Sequence, residues 1–185
     1  MAVTGDFTLY AKWETPEAVS YVNANGDTVS GFTDYTPLEE GYTNLPAGFW
    51  YVGEDVTAYG RITVNGEVSI ILGMGAALTA LNGISVTGDN TLNVFADSEE
   101  TGRLIARGAF DAAIGSDWSW GSGSTTGTIN IYGGQVTAIQ TSTEATAKAI
   151  GASYEATSTG TITLGYTHAE DFIEATSYNG AVNVG

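Results

Sequence analysis

Residues 127–140 read GTINIYGGQVTAIQ. Two short alternating runs flank Gly133-Gly134. In the first, Ile129 and Ile131 face one way while Thr128, Asn130 and Tyr132 face the other. In the second, Val136 and Ala138 take the apolar side and Thr137 the polar side. Alternation with a period of two marks a strand with one dry face and one wet face. The same two-strand pattern recurs along the chain, so this is the sequence of a repeat protein.

Sorted by their place in the repeat, the strands fall into three columns. Ile62, Ile84, Ile114, Ile150 and Val182 are equivalent in the first. Ile70, Val94, Ile131 and Leu164 are equivalent in the second, and Leu78, Leu104, Val136 and Ile173 in the third. Trp50-Tyr51-Val52 and Val56-Thr57-Ala58 read as second- and third-column strands of an opening coil. The strand order is constant while the intervals vary, which is how a solenoid accepts insertions. The expected fold is all-β: a right-handed, single-stranded parallel β-helix with three faces, the hand following the usual crossover preference. Ser69, Ser85, Asn93, Asn130 and Thr137 are among the positions expected to point outward, and Ile105 is an outward exception.

The first fourteen residues do not match the repeat and read as the tail of a preceding module. Residues 15–49 form an N-terminal hairpin and strap. Asn25-Gly26, between residues 20–23 and 28–30, predicts a tight turn with positive φ at both positions. Residues 35–47 carry Pro37 and Pro46 and read as a loop or extended strap, with a short helical cap in 44–48 left open. The β-helix is assigned to residues 50–185. No cap closes residues 181–185, so the natural protein is expected to continue past them.

Composition narrows the function. The chain has 185 residues, 25 of them Gly and 3 Pro, which suits short strands and many corners. Five basic against 21 acidic residues give a net charge of −16. Nucleic acid and anionic membranes need a cationic footprint, so neither is an expected partner. Without cysteine there is no disulfide framework and no thiolate metal site.

Two loop edges hold the candidate chemistry. Residues 116–126, SDWSWGSGSTT, and 152–159, ASYEATST, leave the same column in neighbouring coils. Trp118, Trp120 and Tyr154 would form an aromatic strip there, flanked by Asp117 and Glu155. Flat rings beside carboxylates can stack on sugars. The competing reading is that these rings fold over the edge and cover core. The second edge carries Asp97, Glu99 and Glu100, then His168, Glu170 and Asp171. Asp97, Glu99, Glu170 and Asp171 are weak metal candidates, since they follow no calcium-loop spacing and the lone His makes a poor zinc site. No metal or other cofactor is expected, calcium included. No paired carboxylates and no nucleophile motif support catalysis, so no catalytic residue is assigned.

Residues 7–13, FTLYAKW, resemble the closing strand of an internalin-type B-repeat, a small β-grasp-like module of bacterial surface proteins. The segments YVNANGDTVSGFTDYTPL, GFWYVGEDVTAYGRITVNGEVSIILGMGAALT and GISVTGDNTLNVFA resemble modular bacterial surface proteins with glycine-rich β-helical, carbohydrate-binding-like domains. The AGIGGG run common in that family is reduced here to AIGS at 113–116 and AIGA at 149–152. The resemblance implies an extracellular, wall-associated module that displays or adheres, with any signal and anchor outside this sequence. The alternative is a glycan-binding module using the aromatic edge; a polysaccharide lyase or hydrolase ranks third. Expected partners are host or bacterial glycans or a surface protein.

Overall fold

The computed structural model describes residues 16–118, 124–143, 147–154, 156 and 160–177. Val182, Trp120, Glu155 and the strand expected at 7–13 lie outside these residues. The described chain is all-β, without an α-helix.

Two strands open the chain, β1 (Val19–Val22) and β2 (Thr28–Phe32), paired antiparallel. Their turn differs from the expected two-residue type. Gly26 N donates to Asn23 O at 3.0 Å, so Ala24 and Asn25 are the central residues and Gly26, at φ 84°, follows them. Asn23 decides this, because its Oδ1 accepts the amides of Asn25 (2.9 Å) and Asp27 (3.0 Å). An Asn side chain that mimics backbone in this way lengthens the loop by one residue.

The parallel strands begin earlier than residue 50. They are β3 (Thr36–Pro37), β4 (Asn44–Val52), β5 (Val56–Ala58), β6 (Ile62–Leu72), β7 (Ala77–Ala80) and β8 (Ile84–Ser85). Then come β9 (Thr91–Ala96), β10 (Arg103–Gly108), β11 (Ile114–Gly115), β12 (Thr128–Ile131) and β13 (Gln135–Gln140). The last three are β14 (Ile150–Gly151), β15 (Ile162–Leu164) and β16 (Phe172–Ser177). The strap expected at 35–47, and the helical cap left open at 44–48, are therefore partly strand. Pro37 lies in a two-residue strand, and Pro46 sits at a register shift between Pro46 and Gly48, the places where a missing N–H is tolerated.

Among the described residues all three columns hold. Ile62, Ile84, Ile114 and Ile150 pair in sequence, as do Ile70, Val94, Ile131 and Leu164, and Leu78, Leu104, Val136 and Ile173. Trp50 pairs with Ile70 and Val56 with Leu78, so the opening strands are in register too. The first two columns form a single nine-stranded sheet, because β6 runs through both; the third is a separate five-stranded sheet. The inward side chains of both sheets meet in one core. Cover fails at the last strands: Leu164 is 40% exposed, whereas its neighbours Val94 and Ile131 are fully buried.

The outward face is drier than alternation predicts. Ser69, Ser85 and Asn93 are buried, not wet. Asn93 Nδ2 donates to Ser69 Oγ at 3.2 Å, and Asn130 Nδ2 donates to Asn93 Oδ1 at 2.9 Å, so stacked polar side chains satisfy one another. Beside them Ile71 and Phe95 are also buried outward, under the hairpin. Tyr21 packs edge-on against Phe32 at 5.5 Å and lies 5.2 Å from Phe95, which stacks on Tyr132 at 5.3 Å. Ser98 N donates to Ser20 O at 3.1 Å and ties β1 to the sheet.

Gly115 shows how tightly neighbouring strands approach. Its φ is 146°, and a Cβ there would overlap the carbonyl oxygen of Gly151. Replacing Ile114 with Asp tests the column itself. It would leave an unpaired charge in a fully buried position, so thermal or denaturant melting should show a loss of more than about 3 kcal/mol.

Candidate functional site

Arg61 precedes the first strand of the first column, and its guanidinium turns into the corner. Nε donates to Asp117 Oδ1 at 2.7 Å. Nη1 donates to the carbonyls of Asn82 (2.8 Å) and Ala112 (3.0 Å). Nη2 reaches those of Ile84 (3.4 Å), Gly115 (3.3 Å) and Ser116 (3.4 Å). One planar cation thus collects carbonyls from successive strands of the stack, where the backbone leaves its ladder.

Asp117 is tied down through both its carboxylate and its carbonyl, although its side chain is 45% exposed. Its Oδ2 accepts Ser85 Oγ at 2.8 Å, and its carbonyl accepts the hydroxyls of Ser124 (2.5 Å) and Ser153 (2.8 Å). The next residue, Trp118, donates its backbone N–H to Asp111 Oδ1 at 2.6 Å. Tyr154 N donates to Phe110 O at 3.0 Å. These bonds bring three rings to one ledge. Phe110 and Trp118 have centroids 5.1 Å apart, and Phe110 and Tyr154 lie 6.4 Å apart, edge to face. Trp118 and Tyr154 are half-buried, whereas Phe110 is 44% exposed.

The sequence reading placed Trp118 and Tyr154 on one edge and missed Phe110, which joins them. Phe110 sits in a short corner with no alternating pattern to mark it. It also missed Arg61, whose one signal was a basic residue abutting an apolar column. Asp117, read as flanking the rings for a ligand, has its carboxylate engaged by Arg61 and Ser85. Trp120 and Glu155 lie outside the described residues.

At the second edge Asp171 is the centre. Its side chain has no exposed surface. Oδ1 accepts Thr101 Oγ1 at 2.6 Å and Gly134 N at 3.0 Å. Oδ2 accepts Thr167 N (2.7 Å), Thr167 Oγ1 (3.0 Å) and His168 N (2.9 Å). Burial by itself would raise its pKa, but these hydrogen bonds outweigh it and hold the carboxyl below the usual carboxylate range. His168 Nε2 lies 3.3 Å from Ser98 O, joining the two acidic loops. Asp97 Oδ1 accepts Glu99 N at 2.9 Å. Among the described residues no three His, Asp or Glu side chains are grouped to hold a metal ion, so Asp97, Glu99, Glu170 and Asp171 form no such group. No family model, curated protein or solved structure matches this chain.

Two measurements check the second edge. A chelator is expected to leave the melting temperature unchanged, since a metal held only by the native state would add stability by mass action; a large drop would show a bound cation. Asp171 should govern the acid limb. A depressed folded-state pKa adds stability that is complete above the ordinary carboxylate pKa. That stability is lost as pH falls through the lower folded value. Asp171→Asn should cost about 2 kcal/mol at neutral pH and flatten that limb of a melting-temperature profile.

Proposed function

We propose that this chain is a non-catalytic adhesion and display module of an extracellular, cell-wall-associated bacterial protein. In this reading its sheets form the right-handed, three-faced parallel β-helix expected from the sequence. The internalin-like sequence at 7–13 and the β-helical surface-protein resemblance support the setting. The observation that carries the reading is the aromatic ledge. The charged and hydroxyl groups around it bond to one another and to backbone carbonyls, and the surface they position is a set of rings. Asp117 and Arg61 hold the loop in place, which favours binding over proton transfer.

A second reading, glycan binding at that ledge, is favoured by Phe110. It is the exposed ring of the three, lies between two others, and offers an apolar face of the kind that stacks on a sugar ring. Its corner is tied by the bond from Trp118 N to the Asp111 carboxylate and by the Tyr154–Phe110 backbone bond, which lowers the ordering cost of binding.

A glycan array with the isolated domain tests both. The paired change Phe110→Ala, Trp118→Ala should abolish glycan binding, with about 2 kcal/mol or more lost at a true binding centre. Circular dichroism should show the same strand content as the parent. Binding that survives the paired change removes the ledge as the site. An array with no hits leaves adhesion to a protein surface, to be read by cell-surface attachment of the same two proteins.

A further inference from the structure

Away from the ledge, the outer surface of the third column holds a cavity of about 320 Å³. Its walls are Glu99, Glu100, Thr101, Arg103, Gln135 and Glu170. Arg103 is the first residue of β10 and Gln135 its register partner on β13. Arg103 Nε donates to Gln135 Oε1 at 3.0 Å, and Gln135 Nε2 donates to Glu170 O at 3.3 Å. Gln135 therefore fixes the guanidinium to one wall and the 166–171 turn to another. Behind them, Thr101 is buried and bonded to the saturated carboxylate of Asp171. The back wall is thus anchored, while Arg103 and the three glutamates stand at the exposed rim.

The charges of this cavity do not neutralise one another. In a chain with 21 acidic and 5 basic residues, Arg103 pairs with no carboxylate among the described residues, although three glutamates line the same cavity. Those glutamates also do not gather at a point where a metal ion could sit. Opposite charges spread around one small space call for a ligand carrying both. A net-neutral ligand is also not repelled by the chain's charge of −16.

We propose that this cavity binds a small zwitterion, with a carboxylate on Arg103 and an ammonium on the glutamates, as in a free amino acid or a short peptide. The guanidinium presents a planar fork to a carboxylate, and the Nη atoms remain for it because the bond to Gln135 uses Nε. Exposed ion pairs are individually weak. Affinity depends on both ends being held at once. The proposal is independent of the aromatic ledge and stands or falls separately from it.

The test is a titration of the full chain with the standard amino acids and with alanyl-alanine, followed by amide chemical shifts. Saturable shifts at Arg103, Gln135 and Glu170 are expected. The amino acids and the dipeptide distinguish a free ligand from a peptide. The N-acetylated and amidated forms of the best binder should each bind about tenfold more weakly or worse, since each lacks one charge. Arg103→Gln should give the same loss, and Glu170→Gln a smaller one. Arg107→Gln, four residues along the same strand and outside the cavity, should bind as the parent does. The proposal is overturned by no saturable shift with any probe, by blocked forms that bind equally, by an unaffected Arg103→Gln protein, or by calcium chloride saturating the same amides.

Discussion

A parallel backbone ladder between successive strands is the constraint on which everything else here depends. A parallel pair satisfies its N–H and C=O groups only when each strand sits beside its equivalent in the next repeat. That condition puts Ile62, Ile84, Ile114 and Ile150 side by side and buries them completely. Stacked aliphatic columns then close one core between two sheets, and the loops are left free to vary at the corners.

Corners are where the ladder fails, and the polar chemistry collects there for that reason. Backbone carbonyls that leave a strand need donors. At one corner Arg61 supplies them, and its bond to Asp117 fixes the loop that carries Trp118. At another, Asp171 is the acceptor for amides and hydroxyls of three loops. Both are structural centres first. Whatever the protein binds meets what these centres position: a ledge of rings in one case and a cavity of mixed charge in the other.

The hairpin illustrates a different balance. A sheet with one face in the core leaves the other to water, yet Ile71 and Phe95 point outward and are buried. Tyr21, Phe32 and Phe49 cover them in a chain of ring contacts. The antiparallel pair is too small to be stable alone. It is held by this apolar contact and by the Ser98–Ser20 backbone bond, so it belongs to the same cooperative unit as the strands it covers.

The three columns could be read from the chain because a period of two is a local property: each strand states its own inward face. The hairpin's existence was legible for a similar reason, since Asn25-Gly26 marks a turn in any context. Its exact turn was not, because Asn23 Oδ1 reorganised it through contacts that depend on conformation. The first part of β4, before Trp50, was hidden by Pro46, whose cost disappears at a bulge that only strand pairing creates. Of the candidate sites, Trp118 and Tyr154 were placed on one edge by register alone. Phe110, Arg61 and the Arg103 cavity were decided by tertiary structure. Each joins residues far apart in sequence through corners, and corners carry no periodicity that would announce which side chains will meet.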